Sequence, residues 1–456
     1  MPLQKNQVLT LRVERLSSDG SGVAHSPDGE TVFIPGAAPG DEARVRIVKD
    51  CKRYAFGILD EVLTPSPDRI PVDCAVAGPC GGCSLRHLDY AAELRAKQEN
   101  VADAFARIGG LDVPVLPIVG SPEVNRYRNK VQFPVGVDKS GKPCIGFYAG
   151  RTHRIVPCPD CRLQPGVLNE IGNALCAFFA EKGIQPYSEE TGRGLVRHIF
   201  LRRGAHSGQI MVCLVCTRAK LPSAEELCTR LKAQFAEITT ILLNVNAKNT
   251  NVILGTETHT LYGPGYIEDT LCGVPVQLGP LSFYQVNTLA AEQLYGIAAQ
   301  YAQLTPDDLL LDLYCGMGTI GLSMAAHCRE LIGVEIVPEA IESAKANAAR
   351  MGADVAAKSR FFCADAGQAA TRLAAEGLHP DIVMLDPPRK GCDEATLSAV
   401  VRMSPRRAVY VSCNPATAAR DAAWLEQNGY HAEKVQPVDL FPRTRHCECV
   451  LSLSKV

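Results

Sequence analysis

The second half of the chain is a run of short apolar segments, each ending on a residue able to do chemistry. LLLDLYCGMG starts at Leu309, LIGVE ends on Glu335, FFCAD ends on Asp365, DIVMLDPP reaches Asp386–Pro388, and RAVYVSCNP covers Arg407–Pro415. Segments of this length and β-branched content read as fully buried strands. Helical stretches lie between them, and that alternation predicts a doubly wound parallel sheet from about Gly273 onward. Ligands of such sheets bind at the carboxyl ends of the strands, where these acids and Cys413 fall. Pro415 cannot donate to a sheet ladder, so the last of these strands should stop there and leave the Cys413 thiol at its end. A cysteine is more often a small buried apolar residue than a nucleophile; its neighbours decide between the two.

A chain of 456 residues exceeds the ~250–300 at which one core stops growing, so several domains are expected. Residues 1–64 alternate apolar and polar (Leu9, Leu11, Val13; Ala43, Val45, Ile47) between turns such as SPDGE, which predicts a five-stranded OB-like barrel. Residues 65–271 read as a mixed α+β domain, entered through the Pro-rich TPSPDRIP, with a helix from about Asp89 to Ile108. Residues 272–456 form the α/β domain. No apolar run reaches the roughly 18 residues of a membrane span, and the N-terminus lacks a secretory core. A reducing cytoplasmic setting is therefore expected for the 19 cysteines, where clustered cysteines more often mean metal ligands or catalysis than disulfides. The net charge of −2 does not mark a nucleic-acid binder, yet Val124–Arg203 carries 13 Lys and Arg against 6 Asp and Glu. A local excess of that kind suits a partner with phosphates, although a solvated face is the commoner meaning of one charge run.

Gly316-x-Gly318-x-x-Gly321 between a strand and a helix start fits a nucleotide-binding turn, a weak signal alone. Glu335, ending the next strand, stands where an acid can hydrogen-bond ribose hydroxyls, and Asp365, ending the third, could accept the adenine amino group. Either acid could instead be a helix N-cap; the two together favour an adenosine ligand. The following Asp386-Pro387-Pro388-Arg389-Lys390-Gly391 separates S-adenosylmethionine from NAD, because a strand running into Asp-Pro-Pro resembles the substrate-base loop of class I (Rossmann-like) methyltransferases, and dehydrogenases have no need of it.

With DPPRKG, SCNP and the C-terminal Arg445-His446-Cys447-Glu448 in place, the chain resembles the RNA uracil-5-methyltransferase family, most closely its 23S (large-subunit) ribosomal RNA branch, over nearly its whole length. The resemblance implies an N-terminal TRAM domain, a 4Fe–4S site and a C-terminal catalytic domain. It assigns the nucleophile to Cys413 and the proton-abstracting base to Glu448. It puts S-adenosylmethionine contacts on Gln285, Tyr314, Glu335, Asp365 and Asp386, with Gly316 and Thr319 in the same loop, and places Phe283 in the lining of the site. Thr319 stands where other members often have Asn, and Cys447 where a small aliphatic residue is usual. The chemistry explains the pair. C5 of uracil is too poor a nucleophile to take a methyl group until a thiolate adds at C6, and a separate base must then remove the C5 proton. Arg389 could lower the thiol pKa. An amino-directed methyltransferase would leave Cys413 and Glu448 idle, and a non-catalytic RNA-binding or sensing protein would need neither.

A target base in folded RNA must be unstacked or flipped, so RNA clamps are expected. Arg126-Tyr127-Arg128-Asn129-Lys130 pairs cations with a ring that could stack on a base, making Arg126, Tyr127, Arg128 and Lys130 RNA-contact candidates beside Arg389. Cys74-x5-Cys80-x2-Cys83 with a distant Cys161 fits a 4Fe–4S cluster, whereas Cys80-x2-Cys83 with Cys158-x2-Cys161 fits a four-cysteine zinc ribbon. Spacing leaves both open; the resemblance favours iron–sulfur through Cys74, Cys80, Cys83 and Cys161. A monomer acting on RNA, with no membrane partner, is the expected state.

Overall fold

The computed structural model describes residues 3–150 and 152–456. β1 (Val8–Arg12), β2 (Arg15–Leu16), β3 (Ser21–His25), β4 (Thr31–Pro35), β5 (Glu42–Asp50) and β6 (Tyr54–Thr64) form one sheet in the order β1-β5-β6-β4-β3-β2. β1 and β2 lie at its two ends but are separated by only Val13 and Glu14, so the chain closes the sheet on itself as a barrel. The sheet has six strands rather than five because its first strand is broken there: Val13 N donates to Asp41 O and Glu14 N to Val23 O, serving two neighbours in turn. Leu11, Val32, Ile34, Val45 and Ile47 fill the interior. Gly57 is required on β6, since a Cβ would stand 2.3 Å from Val45 Cγ1.

A second sheet has the order β13-β12-β11-β10-β7-β8-β9, with β7 (Lys130–Val137), β8 (Pro143–Tyr148), β9 (Ile155–Pro157), β10 (Val196–Arg203), β11 (Ile210–Cys216), β12 (Ile238–Val245) and β13 (Glu257–Tyr262). A hairpin, β14 (Ile267–Leu271) and β15 (Val274–Leu278), leads to the third sheet. This consists of β16 (Leu309–Leu313), β17 (Glu330–Glu335), β18 (Ser359–Cys363), β19 (Ile382–Leu385), β20 (Arg407–Ser412), β21 (Tyr430–Val438) and β22 (Glu448–Lys455), in the order β18-β17-β16-β19-β20-β22-β21. Its first five strands run parallel, and β22 runs antiparallel to both β20 and β21. Successive residues alternate between two cores: Leu310, Ile382, Met384 and Val409 face one, Leu309, Leu311, Val383 and Tyr410 the other. That double burial is why these strands read as unbroken apolar runs.

The helix Tyr90–Asp103 is capped by Asp89, whose side chain accepts from Ala92 N, and ends in a π-helical turn, Ala104–Gly109. Its Val101 and Phe105 lie in the same core as Leu311 and Ala418. Val115 and Val119 then bridge to Val435 and Val438 on the edge strand β21. Residues 101–119 are thereby built onto the third sheet rather than the second. No helix among the described residues is long and apolar enough to cross a membrane.

Candidate active site

β20 and β22 bring the two reactive candidates together. In their antiparallel register Ser412 faces Cys449, so Cys413 and Glu448, one step further on, adjoin at the sheet edge. The Ser412 hydroxyl accepts from Asn414 N at 3.0 Å, and Asn414 caps the helix Pro415–Glu426 through Ala416 N, fixing the turn that carries the sulfur. Asn414 Nδ2 donates to Arg389 O at 2.9 Å, which ties the DPPRKG loop to the same turn. Arg420 NH2 donates to Lys390 O, and Cys392 N to the buried Asp421 carboxylate, so the loop is bolted down along its length. Gly391, at φ +79°, is needed there: a Cβ would meet Arg420 and Asp421 within 2.6 Å.

Electrostatically, Cys413, Glu448 and Asp386 form one unit. Burial raises the Cys413 thiol, the Glu448 and Asp386 carboxylates raise it further, and the Arg389 guanidinium, hydrogen-bonded to the sulfur, acts the other way. Burial pushes Glu448, only 6% exposed, up to about 8, with Asp386 adding to the shift and Arg389 opposing it. Burial pushes Asp386 up to about 7. A carboxyl held near neutral pH is matched to a general base. Elsewhere in this domain Cys315 and Cys392 are buried, Cys447 is sunk among carbonyl oxygens of Val438 and Glu448, and the exposed Cys363 lies against Ile336 O beside the nucleotide turn.

The nucleotide turn follows β16. Tyr314, Gly316 and Gly318 all have left-handed φ (66°, 55° and 79°), an arrangement strained at the tyrosine and free at the glycines. A Cβ on Gly316 would meet nothing within 4 Å, leaving an open cradle, whereas one on Gly321 would strike Asp312 and Leu331 at 2.8 Å. Glu335 folds back over the turn, accepting from Gly316 N at 3.2 Å and from Ile336 N and Val337 N. Ile336 is 62% exposed beside it, an apolar flank suited to an adenine face. Asp365 accepts from Gln368 N and so is the N-cap of its helix. Thr319 is buried, its hydroxyl 3.5 Å from Tyr295 Oη. The sequence left unmarked a further acid, Asp312, although a carboxylate inside the apolar run LLLDL was the visible signal. It is buried, accepts from Gly321 N, and is pushed up to about 8 by burial and then by Asp386 and Glu335.

Gln285 enters from the side. Asn129 of the second sheet's first strand region holds it, Nδ2 donating to Gln285 O at 2.7 Å and to Thr288 Oγ1 at 2.9 Å. The fully buried Arg202 donates to Gly279 O and Ser282 O, propping the turn that leaves Phe283 71% exposed. Neither Asn129 nor Arg202 is recognisable from local sequence, because each acts on a segment over 70 residues away.

The RYRNK stretch does not form the expected stacking site. Tyr127 is only 5% exposed and donates its hydroxyl to Pro442 O, so its ring packs inside and cannot stack on a base. Arg126 is spent on Asp160 and on the carbonyls of Cys161 and Gln164. Sequence alone cannot tell which alternate residues of such a stretch point inward. Arg128 and Lys130 are half-buried and without ion-pair partners among the described residues, and Lys130 is lowered to about 8 by burial and by Arg202 and Arg128.

Cys74, Cys80, Cys83, Cys158 and Cys161 are near enough to perturb one another: Cys161 and Cys74 raise Cys80, and Cys161 and Cys80 raise Cys83. Cys158 donates to Cys161, which is thereby lowered. Among the described residues, no three His, Cys, Asp or Glu side chains converge tightly enough to hold a metal ion. One observation nonetheless suits an anionic thiolate: the buried Arg86, paired through NH1 with Asp73 at 2.7 Å, also hydrogen-bonds Cys83.

Sheet order, nucleotide turn and Asp-Pro-Pro loop together define a class I S-adenosylmethionine-dependent methyltransferase. Residues 206–456 match the tRNA (Uracil-5-)-methyltransferase family and residues 2–59 the TRAM domain. The chain belongs to the RNA uracil-5-methyltransferase family. It is 43% identical to an uncharacterized RNA methyltransferase of Halalkalibacterium halodurans, over 99% of this chain and 98% of that one. It is 42% identical to one of Listeria monocytogenes, with the same shares covered. Among solved structures, a Pyrococcus abyssi tRNA (uracil-54, C5)-methyltransferase in complex with S-adenosyl-L-homocysteine superposes with a TM-score of 0.77 at 26% identity, over 98% of this chain and all of the other.

Proposed function

We propose that the protein methylates C5 of a uridine in 23S ribosomal RNA in the cytoplasm, using Cys413 as nucleophile and Glu448 as base. The observation that carries this reading is the adjacency of Cys413 and Glu448 across β20 and β22, with Asp386 and Arg389 acting on both. The Cys413 sulfur adds to C6 of the uracil, with Arg389 favouring its thiolate. S-adenosylmethionine supplies the methyl group that C5 takes. Glu448 removes the C5 proton, and the sulfur leaves as the ring double bond re-forms. Tyr314, Gly316, Thr319, Glu335, Asp365, Asp386 and Gln285 would hold the cofactor, and Phe283 would line the base pocket. In this reading Asp365 also keeps its N-cap role.

Contact with RNA is supported on the barrel by Phe33, Tyr54 and Phe56, whose rings meet at 5.6–5.8 Å on its outer face. Lys49 pairs opposite Phe56, and Lys52 and Arg53 in the next turn are exposed. Rings and free cations together suit single-stranded RNA. Arg128 and Lys130 extend the basic surface. Cys74, Cys80, Cys83 and Cys161 are proposed to hold a 4Fe–4S cluster with Arg86 as its counter-charge. Cys80→Ser should then abolish iron content and the brown colour of anaerobically purified protein, whereas zinc in place of iron would replace this part of the proposal.

A second target, transfer RNA, is favoured by one observation: a tRNA enzyme superposes on 98% of this chain, so the architecture does not by itself separate the two substrates. Transfer of labelled methyl groups to purified 23S ribosomal RNA and to transfer RNA, followed by nucleoside analysis, tests both. 5-Methyluridine in the ribosomal RNA supports the first reading, label only in transfer RNA the second, and label on neither refutes the activity.

A further inference from the structure

The connection between β21 and β22, residues 439–447, ends on Glu448 and is held by an ionic group to which no role in the reaction is assigned. Asp439 follows Val438, the residue paired with Glu448 in the β21–β22 register. Its Oδ1 lies 2.8 Å from Lys97 Nζ, and its Oδ2 accepts from Tyr90 Oη at 2.9 Å. Lys97 also donates to Glu93 Oε1 at 2.7 Å and to Phe441 O at 3.2 Å. Glu93 in turn accepts from Arg443 N at 2.7 Å, while Arg443 NH1 donates to Leu88 O. Lys97, Glu93 and Asp439 are each at most 1% exposed.

Cohesion alone does not account for this group. Burying a lysine between two carboxylates carries a desolvation penalty that apolar residues of similar size avoid, so such sets are poor ways to gain stability. What they provide is direction. From helix Tyr90–Asp103, Tyr90 and Lys97 end on Asp439, Lys97 also on Phe441 O, and Glu93 on Arg443 N, so three side chains of one helix converge on 439–443. Other contacts on the same loop, Tyr127 Oη to Pro442 O and Asn287 Nδ2 to Leu440 O, are single neutral hydrogen bonds.

We propose that Lys97, with Glu93 and Asp439, positions Glu448 for removal of the C5 proton. The proposal rests on the uracil-C5 reading above. The positioning group acts after the methyl group has been transferred: the Cys413 sulfur is still bonded to C6, the C5 proton has to pass to the Glu448 carboxyl, and the C6–S bond breaks as the C5–C6 double bond forms. A displaced Glu448 therefore stalls the enzyme as a covalent methylated adduct, whereas thiolate addition and methyl transfer remain intact.

The variants are Asp439→Asn, which keeps the shape, and the charge-balanced pair Lys97→Met with Glu93→Gln. The probes are transcripts of 23S ribosomal RNA and transfer RNA, unmodified or carrying 5-fluorouridine, whose fluorine no base can remove. Adduct formation on fluorinated RNA reads addition and methyl transfer; release of 5-methyluridine product reads elimination. We expect turnover on unmodified RNA to fall 10- to 100-fold and detergent-stable adduct to accumulate on it. Adduct formation on fluorinated RNA should stay within about twofold of wild type. Unchanged turnover in either variant overturns the proposal. So does parallel loss of both readouts in a variant whose thermal melt matches wild type. Failure of the wild-type enzyme to form any fluorinated adduct would instead overturn the C5 reading itself.

Discussion

Glu448→Gln is the substitution for which structure fixes both a sign and a size. The side chain keeps its shape and loses its proton equilibrium. In the folded protein the carboxyl is pushed from an ordinary 4.5 up to about 8, first by burial and then by Asp386. Below about pH 4.5 the carboxyl is neutral folded and unfolded, and wild type and variant should be equally stable. Between there and about 8, the unfolded carboxyl is ionised while the folded one stays protonated, so rising pH favours unfolding of wild type only. At the limit the loss is about 1.4 kcal/mol per pH unit, or about 5 kcal/mol above pH 8. Relaxation around the site and sharing of charge with Asp386 should bring the observed slope nearer ~1 kcal/mol per pH unit. Trp424, the only tryptophan, lies in the helix after Cys413, so its fluorescence reports unfolding of this region. Thermal melts followed at Trp424 from pH 5.5 to 9 should show the variant gaining several °C on wild type as pH rises, while its methyl-transfer turnover is lost. A melting difference that stays flat across that range would refute the desolvated-carboxyl account.

Cys413→Ala should abolish methyl transfer while leaving S-adenosylmethionine binding, measured by calorimetry, within about twofold. Because Arg389 lowers the thiol against burial and two carboxylates, Arg389→Met should move the pH profile of Cys413 alkylation to higher pH, read by mass spectrometry. Tyr54→Ala with Phe56→Ala should weaken binding of a labelled single-stranded RNA about 5- to 150-fold, as loss of one stacked base implies, with kcat unchanged at saturating RNA. Arg202→Met should raise KM for RNA through the loosened turn at Phe283, with little change in the kinetics of Cys413 alkylation.

The third sheet was legible because strands buried on both faces announce themselves as apolar runs, and Cys413 and Asp386 close two of them. Glu448 was legible only through resemblance, since nothing in Arg445–Glu448 by itself says which strand it opens. The RYRNK stretch misled because charge and ring content do not encode orientation: Tyr127 turns inward to Pro442, whereas on the barrel Tyr54 is exposed beside the half-buried rings of Phe33 and Phe56. The break at Val13–Glu14 was invisible for a related reason, as two bridging hydrogen bonds to Asp41 and Val23 leave no compositional trace. Asn129, Arg202 and Lys97 went unmarked because their partners lie far along the chain and pattern rules see only neighbours.

The loop 439–447 is gripped from every side: Arg445 NH1 donates to Asp19 O on the barrel, Leu85 N to Arg443 O, and helix Tyr90–Asp103 reaches it through Lys97. An enzyme assembled this way is not a set of interchangeable modules. Excising residues 272–456 would keep the reactive sulfur and the nucleotide turn but cut every tether that the first 271 residues supply to that loop. Such a fragment should turn over poorly, not merely lose discrimination, and grafting the N-terminal parts onto another methyltransferase should not raise turnover unless the tethers travel with them.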